Sequence, residues 1–538
     1  MIEKLKSDAP RKTMALLLAL TTALGPIAIP AFAAQPKTAT PIKHLVVVFQ
    51  ENVSFDHYFG TYPHAKNPSG EPRFVAVSDT PTVDGLSGAL LHANPNLNPA
   101  NLTGASNPFR LDRSQAFTND QDHDYDAEQL AFHNGLMDLF PLNTGTAGPP
   151  PSGSGVTQTN GLVMGYYDGN TVTAYWNYAQ HFAMSDNSHG STFGPSTPGV
   201  INLISGQTNG VIATLNGTGD EVDGGDGSLT MIGDADPLGD VCSSSTRAQG
   251  TMGGKNIGDL LTAGGVSWGG FMGGFNLGIV NEDGSTGCNR TTTSKITGVT
   301  ETDYIAHHSL FAYWKSTANP AHTRPKDVAE IGHAGQANHQ YDIKDFFAAA
   351  GAGNLPEVSF LKAPGYEDGH AGYSDPLDEQ TFVTETINFL EALPSWPSTA
   401  VVILYDDSDG WYDHVMGPIV NQSTGPADEL TGAGTCGSGA TALPGIDPKN
   451  THALGRCGYG PRQPLLVVSP WARQNFVDHT VTDQSSVIHF IEDNWLGGQR
   501  VGQGSFDSIA NSISQMFDFT KYRPNGVLFL NPSTGEKE

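Results

Sequence analysis

Four short apolar runs stand out along a chain that is otherwise polar and rich in turn residues: 44–49 (HLVVVF), 358–361 (VSFL), 400–405 (AVVILY) and 465–469 (LLVVS). Each is continuous rather than alternating and is bounded by polar loops, the pattern of strands buried on both faces of a parallel sheet. Between them, 380–392 and 485–495 space their apolar residues as amphipathic helices do. Strands alternating with helices predict an α/β sandwich around a central, mostly parallel sheet. The segments 67–107, 144–155, 205–240 and 421–450 read as long loop insertions. No repeat and no linker divides the chain, so one large domain over 34–538 is expected, its insertions forming a rim or a small lobe.

The first residues follow another pattern. Lys4, Lys6, Arg11 and Lys12 precede an apolar stretch over 14–29, and Ala31-Phe32-Ala33 places small residues where signal peptidase reads them. A Sec-type signal peptide over 1–33 is expected, with export to the periplasm or the medium. Pro26 and Pro30 interrupt the stretch, and no other segment is long and apolar enough to span a bilayer. An integral membrane segment is therefore not expected after cleavage.

Charge removes one class of function. The chain has 27 Lys+Arg against 55 Asp+Glu, a net charge of -28, which excludes nucleic-acid binding through bulk basicity. A hydrophobic content of 38% supports a packed core and excludes global disorder. Four cysteines allow three pairings; two local bridges that clip loops, Cys242 with Cys288 and Cys436 with Cys457, are the simplest in an oxidising compartment.

Ligands of open α/β sheets bind beyond the carboxyl ends of the strands. Glu51 and Asn52 follow the first apolar run, and Asp406 and Asp407 follow the third. Two parallel strands would bring these four together as an oxygen-only set suited to one hard divalent cation, Mg²⁺, Ca²⁺ or Mn²⁺; the plainer reading is helix caps or solvated loops. Ser196 lies in GPSTPG ahead of an apolar helical run, with Thr197 as N-cap and Pro198 at the first helical position. A serine beside a helix N-terminus and a cation is a candidate nucleophile toward phosphorus. Four histidines in polar turns, His123, His307, His308 and His370, could bind phosphate oxygens and protonate a leaving group. His57 and His414, close to the acidic clusters, could brace the ligands from behind.

Longer stretches carry a resemblance. QENVSFDHYFGTYP, MGYYDGNTVTAYWNYAQHFAMSDN with GPSTPG after it, DYIAHHSLFAYWKSTANPAH and YDDSDGWYDHV resemble the bacterial phosphoesterase family, which contains phospholipases C and the secreted acid phosphatase A type. YDDSDG, the double histidine and KSTANP are closest to the acid phosphatase branch. The resemblance implies an alkaline-phosphatase-like core, metal ligands at Glu51, Asn52, Asp406 and Asp407, a nucleophile at Ser196 and pocket histidines at His123, His307, His308 and His370. Asp406-Asp407 departs from the Asp-Glu pair of many relatives, which leaves the metal's identity open. The expected function is a secreted, metal-dependent acid phosphatase that hydrolyses phosphomonoesters through a phosphoserine. Its optimum would be acidic, because the imidazoles carry charge only there. A phospholipase C acting on phosphatidylcholine-type diesters, marked by an apolar rim around the pocket, and a noncatalytic secreted Ca²⁺-binding protein are the alternatives.

Overall fold

The apolar runs become the middle of a nine-stranded sheet. In the computed structural model the residues described are 38–146, 160–217, 219–224, 228–437 and 455–538. The leader expected over 1–33 lies outside them, as do most of 144–155 and the end of 421–450.

In chain order the strands are β1 (His44–Gln50), β2 (Ala183–His189), β3 (Trp268–Met272), β4 (Gln340–Asp342), β5 (Val358–Lys362), β6 (Thr399–Tyr405), β7 (Arg462–Val468), β8 (Phe476–Asp478) and β9 (Thr482–Asp483). Their spatial order is β4-β3-β5-β1-β6-β7-β2-β8, with β9 also on β2. Residues 45–49 of β1 and 400–405 of β6 are buried throughout, each aliphatic side chain contributing about 1.5–3 kcal/mol. That burial explains why these runs do not alternate. The helices α1 (Thr173–His181), α2 (Ser196–Ser205), α3 (Pro376–Glu391) and α4 (Ser485–Trp495) pair off, α2 with α4 and α1 with α3.

Three expectations change. The run at 465–469 is a strand, but β7 runs antiparallel to both β6 and β2; burial on both faces leaves the same apolar pattern whichever way a strand points. Strand β2 was not predicted, because its sequence AMSDNSH is polar. Its polar groups find partners inside the fold: Asp186 Oδ1 meets His479 Nδ1 at 2.8 Å, and the Asp186 carbonyl accepts from Arg462 at 3.0 Å. The segment 205–240, expected as loop, supplies four strands of a separate five-stranded sheet. Those strands are short and partly solvent-facing, and so carry no apolar run. Both local disulfides, Cys242–Cys288 and Cys436–Cys457, are formed.

Candidate active site

β1 pairs with β6 in parallel, with Gln50 opposite Tyr405. The residues that follow each strand, Glu51-Asn52 and Asp406-Asp407, therefore emerge side by side at the carboxyl end of the sheet. β5, on the other flank of β1, ends in Lys362. Ser196 is the first residue of α2, with Pro195 rather than Thr197 at the N-cap, so the helix begins two residues earlier than the sequence suggested. The N–H of Thr197 donates to Asp234 Oδ1 at 2.9 Å. Helix and strand end meet at Gly199, where a Cβ would lie 2.3 Å from the Asp406 carbonyl oxygen. No residue but glycine fits there.

The Ser196 hydroxyl lies 3.2 Å from Glu51 Oε2 and 3.1 Å from Asp407 Oδ2. It has one proton to give and two carboxylates ready to accept it. Lys362, fully buried, pairs with Glu51 Oε1 and, at 2.9 Å, with Asp406 Oδ2. Asp407 is held by the Asp409 N–H at 2.7 Å. Glu128 ties the neighbouring loops together, accepting from Ser408 Oγ at 2.6 Å and from the Gly194 N–H at 3.0 Å.

The cluster is short of positive charge. Burial pushes the Glu51 carboxyl up to about 7 and that of Asp407 up to about 8, and it raises Asp406 well above the usual range. Lys362, charged because Asp406 and Glu51 outweigh its own burial, can neutralise only one of the three. Both side-chain atoms of Asn52 are buried without a hydrogen-bond partner. Three dry carboxylates, an orphaned amide and a charge deficit fit a hard divalent cation. Glu51, Asn52, Asp406 and Asp407 are the residues the sequence offers to hold it; among the described residues the carboxylate and imidazole atoms that converge within 4.8 Å here are those of Glu51, His308 and Asp368.

The four histidines gather beside this cluster. His308 Nδ1 lies 3.0 Å from Glu51 Oε1, its ring is 4.4 Å from that of His307 and 6.4 Å from that of His370, and His370 is 6.1 Å from His123. His123, His307 and His370 line a cleft of about 430 Å³ together with Asp120, Asp234, Asp236, Arg247 and Glu301. Nδ1 of His123 donates to the Gln121 carbonyl at 2.9 Å and that of His370 to the Ala371 carbonyl at 2.6 Å, which leaves Nε2 of each ring unengaged. The rings do not charge alike. Burial lowers His307 to about 3 and also lowers His308 and His370. For His123 burial is outweighed by Asp407, Asp120 and Asp409, and the ring is held protonated. Of the four rings only His123 is favoured in its charged form by its surroundings; burial disfavours charge on the other three.

His57 and His414 do not brace the cluster. His57 stacks on Trp411 at 3.9 Å and bonds the Gly165 carbonyl, while His414 pairs with Asp56 and Asp84. The sequence reading missed Lys362, Glu128 and Asp234. Only Lys362 carried a signal, since it closes an apolar strand run as Glu51 and Asp406 do.

Residues 42–496 match the family model described as "Phosphoesterase family". The chain belongs to the phosphoesterase family. This phosphoesterase is 26% identical over 471 residues to "Non-hemolytic phospholipase C" of Burkholderia pseudomallei (strain K96243), a match covering 85% of this chain and 55% of that protein. It is 25% identical over 483 residues to "Phospholipase C B" of Mycobacterium tuberculosis (strain CDC 1551 / Oshkosh), covering 87% and 76%. The chain spans about half the length of the first of these relatives.

Proposed function

We propose that this phosphoesterase is one exported catalytic domain over 34–538 that hydrolyses soluble phosphomonoesters through a phosphoserine at Ser196. The observation that carries the reading is the Ser196 hydroxyl at 3.1 and 3.2 Å from two buried carboxylates at the start of a helix. Glu51, Asn52, Asp406 and Asp407 would hold a divalent cation, which when bound would supply positive charge to lower the hydroxyl pKa and offset charge on the phosphoryl oxygens. The chain's own groups do the rest. Ser196 Oγ bonds to phosphorus as its proton passes to Asp407 or Glu51. The ester P–O bond breaks, and His123, the ring held protonated, gives its proton to the departing alkoxide. His307, His308 and His370, on which burial disfavours charge, orient the phosphoryl oxygens and the incoming water. Water then bonds to phosphorus as its proton passes to His123, the P–Oγ bond breaks, and Ser196 takes back the proton held by Asp407 or Glu51 as phosphate leaves. Brief reaction with p-nitrophenyl phosphate at low pH should leave a phosphate on the peptide bearing Ser196, detected by mass spectrometry. Ser196→Ala should lose both the label and turnover; turnover retained near the native rate would overturn the assignment.

A second reading draws on the cleft itself and on the relatives' names. Asp120, Asp234, Asp236 and Glu301 line the approach, with Arg247 the only Lys or Arg of that lining among the described residues, a lining suited to an ester whose alcohol bears a positive charge, such as choline. That chemistry belongs to a phospholipase C. Parallel assays on p-nitrophenyl phosphate and p-nitrophenyl phosphorylcholine decide between them: the monoester is expected to have the higher kcat/KM, and a diester preference of about tenfold, ~1.4 kcal/mol, would reverse the order.

A further inference from the structure

Strand β2 runs from Ala183 toward the loop that carries Ser196. At its opposite end, beyond α1 and the start of β8, lies an open cleft of about 960 Å³. Arg473, Lys521, Arg523 and Lys537 converge on it, and its acidic lining is limited to Asp79 and Asp518. Such a concentration is unexpected in a chain with 55 acidic and 27 basic residues. Among the described residues none of the four cations forms an ion pair with a carboxylate. Asp518, the acidic neighbour of Arg473 and Lys521, spends its Oδ1 on the Thr520 N–H at 3.1 Å and the Thr520 hydroxyl at 2.6 Å.

The two guanidinium groups are held in place without being neutralised. Arg523 donates to the His181 carbonyl at 3.0 Å and the Ser469 carbonyl at 3.3 Å, and lies 5.1 Å from the centre of the Phe182 ring. Arg473 donates Nε to the Phe517 carbonyl at 3.2 Å and lies 5.0 Å from the centre of the Phe476 ring. Carbonyls and rings fix the direction of each fork while leaving its full charge for a ligand. The wall records the resulting field: burial, together with the charges of Arg523 and Lys537, pushes the His181 imidazole down to about 4, and its Nε2 is buried with no partner.

We propose that this cleft is a second binding site, separate from the Ser196 centre, for a small soluble anion bearing a phosphate group. Prearranged guanidiniums match phosphate oxygens in pairs, the volume is that of a small-molecule site, and Tyr522 and Phe476 offer apolar surface for an organic substituent. The headgroup of an anionic phospholipid has the same phosphate chemistry, but a membrane docked on this cleft would face away from Ser196.

The test is hydrogen exchange of the full chain in inorganic phosphate against potassium chloride of equal ionic strength, with Arg473→Glu/Lys521→Glu as the variant. Both residues are exposed, and neither belongs to the hydrolytic site. Phosphate is expected to protect 471–478 and 518–525. The variant should weaken that protection about tenfold or more, equivalent to ~1.4 kcal/mol, while kcat/KM on p-nitrophenyl phosphate stays unchanged. Protection confined to 194–199 and 405–410, protection equalled by chloride, or protection that survives the charge reversal would each overturn the site. Vesicles of phosphatidylglycerol and phosphatidylcholine separate the sources: cleft-dependent sedimentation with them, without protection by free phosphate, would replace the soluble ligand with a membrane contact.

Discussion

Two clusters of buried carboxylates sit near the same end of the sheet and differ in what answers their charge. In the first, Asp413 takes Arg462 Nε at 3.1 Å, Asp56 Oδ1 takes its NH2 at 3.1 Å, and His414 Nδ1 meets Asp56 Oδ2 at 2.6 Å. The remaining guanidinium donor is spent on the Asp84 and Asp186 carbonyls at 2.8 and 3.0 Å. Every charge there is answered from within the fold. In the second, Glu51, Asp406 and Asp407 share one ammonium, and Asn52 has no partner at all. Burial and acidity are common to both; only the second has unspent bonding capacity. A site for chemistry is marked by what the fold leaves unsatisfied, because a closed ion network has nothing to offer a substrate.

That contrast can be broken experimentally, most sharply in the second cluster. Asp407→Asn should lower kcat on p-nitrophenyl phosphate by about 10²–10⁴-fold, while the metal-stripped chain keeps or gains stability in urea because one buried charge is gone; a loss under tenfold would place the proton acceptor elsewhere. Arg462→Met should act in the opposite way, costing about 3–5 kcal/mol of stability by orphaning Asp56 and Asp413, with kcat per folded molecule unchanged. Equal damage to activity would merge the two clusters. Returning Mg²⁺, Ca²⁺ or Mn²⁺ to chelator-treated protein should raise Tm, by ~2.7 kcal/mol of stabilisation when the ion stands at about 100 times its Kd, and Asn52→Ala should weaken that binding. A Tm indifferent to all three ions would remove the charge-deficit reading.

The smallest effect concerns His414. Burial opposes its charge, but Asp56 and Asp413 raise the imidazole to about 9. A raised pKa stabilises the fold fully below the unfolded value near 6.5 and ceases to do so as pH climbs through about 9. Stability should therefore fall by about 3 kcal/mol across that window, and His414→Gln should flatten the profile; an unchanged slope in the variant would assign the loss to another group.

How much of this was legible depended on where each residue finds its partners. Glu51 and Asp406 could be read because each follows an unbroken apolar run, and parallel pairing of two such runs brings their ends together. Ser196 could be read from a helix start, though not its register, since Pro195 and Pro198 both suit the first turn. Lys362 obeyed the same end-of-strand rule and was passed over because it reads as the tail of VSFLK. Strand β2 and the direction of β7 were hidden for opposite reasons. The Asp186 side chain and carbonyl in β2 find His479 and Arg462 almost 300 positions away, and β7 is apolar on both faces, which erases direction. The histidines' proximity to one another came from the family resemblance, and their unequal charging came only from burial.

The contact at Gly199 has a consequence for how such an enzyme can change. With a Cβ at Gly199 only 2.3 Å from the Asp406 carbonyl, the spacing between the helix that begins at Ser196 and the strand end that carries Asp406 is a backbone-to-backbone dimension, a gauge block that leaves no room for a side chain at that contact. Selectivity for one ester over another is thus left to the approach, where Glu301 and Tyr304 lie on a segment tethered by the Cys242–Cys288 bridge. The meeting of helix and strand at Gly199 is the constant of this molecule, and the lining of the cleft beside it is the adjustable part.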